Sequence, residues 1–296
     1  MLRIKQLPIP LAPRAEQDRI VAAIEEHFSR LDAVESTLKR ELRSIAALRW
    51  SLLTDAFKVD GTLPRNWQRK EIGEVAEVQL GRQRSPQHHA GPQMRPYLRA
   101  ANVTWTGLKL DDVKQMNFDE DDFETYRLHP GDLLLNEASG SPNEVGKPAV
   151  WWGEIEDCCF QNTLLRLQAR DVDPDYLYWY CYMAALTGRF GEAGRGVNIR
   201  HLGKRGLARF PIAVAPPSEQ KDIVTRLQEQ FQQSSECETS VRQAQERARA
   251  LRCSILAKAF NGQLVPQDPD DGPADVLLRR LSREKSTRSK RERAAA

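Results

Sequence analysis

The chain has 296 residues, 40% of them hydrophobic and 29% charged; it is long for one compact domain, short for three, and too polar for two full cores. No stretch of about eighteen apolar residues occurs, which excludes a membrane-spanning helix, and the five cysteines (158, 159, 181, 237 and 253) lack the spacing of a zinc site or a disulfide framework. The net charge is +3, yet residues 279–293 alone hold eight Lys/Arg against two Glu, so the body of the chain is slightly acidic and not a broadly basic nucleic-acid binder.

Met1-Leu2-Arg3-Ile4-Lys5 runs into Pro8 and Pro10 without an apolar core segment, so no secretory signal is expected and a reducing cytoplasm is the expected location. Leu7-Pro8-Ile9-Pro10-Leu11-Ala12-Pro13 then opens a segment that the chain repeats as Phe210-Pro211-Ile212-Ala213-Val214-Ala215-Pro216. Each copy continues with Glu-Gln (16–17 and 219–220) and Ile-Val (20–21 and 223–224), and they close as Leu48-Arg49-Trp50-Ser51-Leu52-Leu53-Thr54-Asp55-Ala56-Phe57 and Leu251-Arg252-Cys253-Ser254-Ile255-Leu256-Ala257-Lys258-Ala259-Phe260. The offset is 203 throughout, which identifies an internal repeat.

Within the first copy Ile24, Leu31, Leu38, Ile45 and Leu52 recur every seventh residue, with Ile20, Val34 and Leu48 on a second line that His27 and Glu41 interrupt. The second copy carries Leu227, Ser234, Val241, Ala248 and Ile255 on one line and Ile223, Gln230, Cys237, Ala244 and Leu251 on the other. Heptads of this kind predict coiled-coil helices over about 15–57 and 218–260, each roughly 60 Å long at 1.5 Å per residue. One helix leads into the intervening segment and the other leaves it, so they run antiparallel if they pair.

Residues 63–209 differ in texture. Strand-like runs at 74–80, 97–103, 132–135, 149–152 and 163–167 alternate with Gly/Pro turns, and Asp173-Pro174 opens a helix towards Leu186. The fold class is therefore α+β, one mixed domain inserted between two long helices that pair as an antiparallel coiled coil. Beyond Phe260 the chain ends in a tail, 266–296, expected to be largely disordered and basic.

No constellation for catalysis stands out. Asp173-Pro174-Asp175-Tyr176 is like the Asp-Pro-Pro-Tyr loop of adenine methyltransferases, but its third residue differs and a helix follows directly, so capping is the simpler reading. Asp132 with Glu137 resembles a metal-nuclease pair without the Lys that should follow, and a β-turn accounts for it. The residues 192–196 lack the preceding strand of a cofactor-binding glycine loop, and the histidines show no ligand spacing. Four polar loops remain: 81–85, 97–102, 136–147 and 194–200. Arg, Asn and Gln on loops suit DNA, because Arg pairs with guanine, Asn or Gln with adenine, and spare cations with phosphates. The same residues on loops are commonly just solvated, so the loops alone leave the choice open.

With helix, inserted domain and helix laid out, the chain resembles the specificity subunit of Type I restriction-modification systems over nearly its whole length. The resemblance rests on Pro-x-x-x-x-Pro-x-x-Glu-Gln-x-x-Ile-Val in both copies, on Leu63-Pro64-x-x-Trp67, on Gly131-Asp132-Leu133-Leu134, and on residues 259–269 followed by Ala274-Asp275-Val276-Leu277-Leu278. It implies conserved helical regions at 1–62 and 210–265 and a target recognition domain at 63–209. The family usually has two recognition domains reading one half of a bipartite site each; this chain has one, like a half or truncated subunit. The implied partners are double-stranded DNA, the modification and restriction subunits, and a second copy or another half-subunit, with no membrane. Catalysis and its cofactors (S-adenosylmethionine, ATP and Mg2+) would belong to those partners. The expected DNA-contacting residues are Arg82, Arg84, Arg99, Asn102, Ser139, Asn143, Lys147, Arg195, Asn198 and Arg200. The expected subunit-interface residues are Ile24, Leu31, Leu38, Ile45, Leu52, Leu227, Val241 and Ile255. Two alternatives stay open: a coiled-coil protein scaffold, and a lone enzyme built on residues 173–176 or on Asp132 and Glu137.

Overall fold

The computed structural model describes residues 10–59, 61–86, 89–139, 144–193, 200–276, 278–280 and 282–283. In chain order, α1 (Arg14–Ala56) is followed by β1 (Gln68–Glu71), α2 (Ile72–Val75), β2 (Ala76–Leu80), β3 (Met94–Leu98), β4 (Val103–Thr104), β5 (Gly107–Leu108), β6 (Lys114–Asn117) and α3 (Glu120–Tyr126). Then come β7 (Leu133–Asn136), β8 (Ala138–Ser139), β9 (Pro148–Val150), β10 (Cys159–Phe160), β11 (Leu164–Ala169), α4 (Pro174–Leu186), α5 (Arg189–Ala193), β12 (Arg200–His201), α6 (Lys204–Ala208), β13 (Pro211–Val214) and α7 (Pro217–Phe260). The chain divides into two compact units, Met1–Ile45 with Ser235–Ala296, and Ala46–Ser234.

In the first unit α1 and α7 pair antiparallel, as the heptads predict. Leu31, Ala248 and Ile255 form a buried strip, with Ile24, Phe28 and Leu264 packed on it. Arg252 reaches Asp32 at 2.6 Å and Glu35 at 3.3 Å and lies over the Phe28 ring. Further along, Arg19 donates to Asp271, which belongs to the 3-10 turn Pro269–Asp271.

The buried stripe is rotated from the one the apolar pattern suggests. The line from Ile24 to Leu52 faces inward, but its companion runs through Phe28, Glu35, Leu42 and Arg49, while His27, Val34, Glu41 and Leu48 are exposed. On α7 Phe231, Glu238, Gln245 and Arg252 likewise accompany Leu227–Ile255; of the expected second line Ile223 is buried and Gln230 and Ala244 are half-buried, while Cys237 and Leu251 are exposed. The reason is amphipathic packing. Arg and Glu lay their methylene stems along the seam and keep their charges at its edge, so residues scored as polar occupy interface positions. All eight expected interface residues lie on the inward lines, Leu31, Leu227 and Ile255 buried and the other five half-buried.

The second unit holds the inserted domain. Its central antiparallel sheet has the order β2-β11-β7-β9. Side chains alternate across it: Leu133, Leu135, Leu165 and Leu167 enter the main core, and Leu134 and Leu164 enter a second cluster with Leu98, Trp151 and Phe160 on the other face. Burial on both faces explains the unbroken Leu133-Leu134-Leu135 run. Helix α4 lies in the main core with the last turn of α1 and the first turns of α7. Its start is the cap that the sequence predicts: Asp173 accepts from Asp175 N at 2.9 Å and Tyr176 N at 3.1 Å, with Pro174 in the first turn. Tyr176 is fully buried and donates to Ala213 O of β13 at 2.6 Å, and Tyr180 donates to Pro211 O at 2.9 Å. Residues 173–176 thus act as a helix start that ties α4 to β13. Burial pushes the Tyr176 hydroxyl well above its ordinary range.

The two copies of the repeat have different surroundings. In the second unit β13 pairs with β1, and Gln220 donates from Nε2 to Ala215 O at 2.7 Å while its Oε1 accepts from Asp173 N at 2.8 Å. In the first unit Gln17 makes the same backward bond, Nε2 to Ala12 O at 2.8 Å, but nothing donates to its Oε1 among the described residues, and residues 10–13 pair with no described strand. Phe57 is 2% exposed, wedged edge-on between Tyr176 and Tyr180; its counterpart Phe260 is 61% exposed. Leu53 is fully buried and its counterpart Leu256 is 37% exposed. A groove of about 830 Å³ lies here, lined by Leu11, Pro13, Ile20, Val21 and Phe260 among others.

Candidate nucleic-acid interface

The site is built around one tight turn. Strand β10 ends at the fully buried Phe160, and the chain reverses over residues 161–164, closed by Leu164 N donating to Gln161 O at 2.9 Å. Three loops hold this turn through its backbone. Gln161 N donates to Leu98 O at 2.9 Å and Asn162 N to Arg82 O at 2.9 Å; Thr163 O accepts from Glu137 N at 2.9 Å. The Thr163 hydroxyl also accepts from Ala100 N at 3.0 Å. Gly81 passes so close that a Cβ there would lie 2.2 Å from Gln161 O, which only glycine permits. A second junction adds the fourth loop: β8 pairs with β12, setting Ser139 opposite Arg200 and Ala138 opposite His201. There Leu202 N donates to Glu137 O at 2.9 Å and His201 Nδ1 meets the Glu137 carboxylate at 3.0 Å. Three loops thus converge on the turn, and residues 200–202, more than a hundred positions further along the chain than the first of them, join beside it at Glu137.

The expected contact residues fare differently within this convergence. Arg82 is buried: its guanidinium bonds Asn117 O, pairs with Asp122 and lies over the Phe118 ring. Asn102 is buried in a 3-10 turn (Ala100–Asn102); its Oδ1 accepts from Arg99 N, and its Nδ2 donates to Lys109 O at 2.9 Å. Arg99 donates to Asp112 at 2.6 Å, and the pair of cations Lys114 and Arg99 holds the Asp112 carboxyl below its usual range, Lys114 contributing most. Lys147 pairs with Glu144. Burial would raise the Glu144 carboxyl, but the bonds from Lys147 and from Trp105 Nε1 outweigh it and hold it below its usual range. Arg84 is exposed and has no partner among the described residues. Ser139 and Arg200 are described by their strand pairing only, and Asn143, Arg195 and Asn198 lie outside the described residues.

The pattern reading passed over Gln161, Asn162 and Thr163, because a three-residue turn between two strands carries no glycine or cation to mark it. It also passed over the Glu137–His201 contact, which joins residues too distant in sequence to suggest one another.

The nuclease-like pair takes a structural part. Asp132 is buried and accepts from His129 N at 2.8 Å and Gln168 Nε2 at 2.7 Å, with Arg166 3.7 Å away. Among the described residues no group of three or more His, Cys, Asp or Glu is placed to hold a metal ion, and no helix is long and apolar enough to cross a membrane.

This placement separates two arginines that the sequence treats alike. Arg82→Ala is expected to lower the unfolding free energy by about 3 kcal/mol, since it strips Asp122 of its partner and empties a buried position. Arg84→Ala is expected to stay within about 0.5 kcal/mol of the parent. Denaturant unfolding of both variants decides it, and equal stability of the two would contradict the burial of Arg82.

Residues 64–245, more than half of the chain, match the model of the Type I restriction modification DNA specificity domain, and the chain belongs to this family. It is 23% identical over 298 residues to the EcoKI specificity subunit of Escherichia coli K12, covering 94% of this chain and 64% of that one. It is 24% identical over 299 residues to the StySPI specificity subunit of Salmonella potsdam, with 94% and 64% covered. The chain therefore spans less than two thirds of the length of these relatives. Among solved structures, a chain from a study of the assembly and conformational transition of the type I restriction-modification system has the same fold, with a TM-score of 0.71 at 23% identity, over 86% of this chain and 62% of that one. The HsdS subunit from Thermoanaerobacter tengcongensis aligns with a TM-score of 0.55 at 23% identity, over 86% and 61%.

Proposed function

We propose that the chain is the DNA-specificity subunit of a Type I restriction-modification complex, selecting a bipartite double-stranded site and directing N6-adenine methylation and cleavage by partner subunits. The observation that carries this reading is the convergence of three polar loops on one clamped turn, in a chain of this family. The chain itself selects; catalysis, S-adenosylmethionine, ATP and Mg2+ belong to the modification and restriction subunits, and the complex works in the cytoplasm.

A bipartite site needs a second reading head. The exposed state of Phe260, Leu256 and Leu11, beside the buried state of their counterparts around Phe57, supports a seat for one at the first unit. If a second copy of this chain supplies it, two-fold symmetry makes the site an interrupted palindrome.

Methylome sequencing of cells carrying the modification subunit, with and without this chain, tests the reading. The expected result is an interrupted N6-methyladenine motif that depends on the chain; a methylome indifferent to it would overturn the proposal. In solution, affinity of the assembled complex for its site should fall steeply with salt as phosphate counterions are released, a slope that a hydrophobic protein contact lacks.

A further inference from the structure

Resting on the DNA reading above, we infer that Gln161 and Asn162 are base-reading residues of the head, recognising adenine in the DNA half-site. They occupy the turn on which the loops converge, and their backbones are held: Gln161 N by Leu98 O, Gln161 O by Leu164 N, and Asn162 N by Arg82 O. Thr163, next to them, is held through both its carbonyl and its hydroxyl. The turn cannot move without breaking bonds to three loops, and the close approach of Gly81 pins it from behind.

The side chains are the part of this turn left uncommitted. Both amides are half-buried, and neither makes a hydrogen bond among the described residues. Neighbouring polar groups contrast with them. Asn102 spends both ends of its amide on backbone, and Arg82, Arg99 and Lys147 are paired with carboxylates. Two adjacent amides on a rigid turn, each presenting a donor and an acceptor, match the N7 acceptor and N6 donor that adenine shows in the major groove, the pairing Asn and Gln make bidentately. Because the turn is already ordered, binding spends little on arranging it. Arg84, exposed two residues beyond Arg82 in the chain, is a cation that phosphate or guanine could take up.

The test uses the full chain with its modification subunit, comparing the methylated motif of the parent with those of Gln161→Glu and Asn162→Asp. These exchanges keep size and backbone but replace the amide donor with a carboxylate, which repels adenine N7. The expected result is a motif altered at one or two adjacent positions where the parent requires A·T, with preference there falling roughly 5- to 100-fold and the other positions unchanged. An unaltered motif overturns the inference, as does uniform loss of methylation with the unfolding transition intact, which would assign the turn to general binding instead. Gln161→Ala and Asn162→Ala serve as the second pair: relaxation at the same positions agrees with the assignment, and none refutes it. Failure of the parent chain to direct any motif would instead bring down the underlying DNA reading.

Discussion

Replacing Phe57 with alanine is expected to cost about 3–5 kcal/mol of unfolding free energy. The ring is almost wholly buried, its centroid 5.3 Å from that of Tyr176 and 5.2 Å from that of Tyr180, both edge-on. Those tyrosines in turn hold β13 through their hydroxyls, so the cavity loosens the join between α1, α4 and β13 together. The repeat provides an internal control. Phe260→Ala, at the equivalent position of the second copy, is expected to leave the stability of the single chain within about 0.5 kcal/mol, because its ring is already in water. Its effect should fall on association with a second head. Guanidinium unfolding of both variants, followed by sedimentation of Phe260→Ala, checks the pair of expectations; equal destabilisation by the two would mean that the repeat ends are packed alike.

Asp132→Ala is expected to cost about 3–5 kcal/mol as well. The carboxylate closes the turn at His129, accepts from Gln168 and faces Arg166, and both it and the Arg166 guanidinium are buried. Without it a buried guanidinium loses its counter-charge, while His129 N and Gln168 Nε2 lose their acceptor. The readout also bears on chemistry. A metal-nuclease role for Asp132 with Glu137 would show as lost cleavage at unchanged stability; the buried turn instead predicts lost stability, with Glu137 engaged by His201.

Much of the architecture was legible in the chain. The repeat at a constant offset located both long helices and their antiparallel sense, and Asp173-Pro174 marked the start of α4. Local signals were enough there because capping, heptad spacing and turn chemistry act between residues a few positions apart. Residues 74–80 were read as one strand, whereas Ile72–Val75 turns as a short helix before β2. Glu74 reaches back to bond Glu71 N, a cap that competes with the extended backbone its apolar neighbours suggest. The heptads gave the correct inner line on each helix but only part of its companion, keeping Ile20, Ile223, Gln230 and Ala244 at least half-buried and leaving Val34, Leu48, Cys237 and Leu251 exposed, because an apolar count overlooks Arg49, Glu35 and Arg252 lying along the seam.

For the site, the chain by itself determined which four loops carry polar, DNA-compatible side chains, and the family motifs tied those loops to a recognition domain. Only the tertiary structure decided which side chains are available. Arg82, Arg99, Asn102 and Lys147 look like readers in sequence, yet folding gives each of them a partner within the head. Gln161 and Asn162 look like linker, yet folding clamps their backbone, and among the described residues nothing engages their amides. The physical reason is that a polar side chain declares its chemistry in sequence, whereas its partner, its burial and hence its freedom to bind are set by residues that meet it only when the sheet closes.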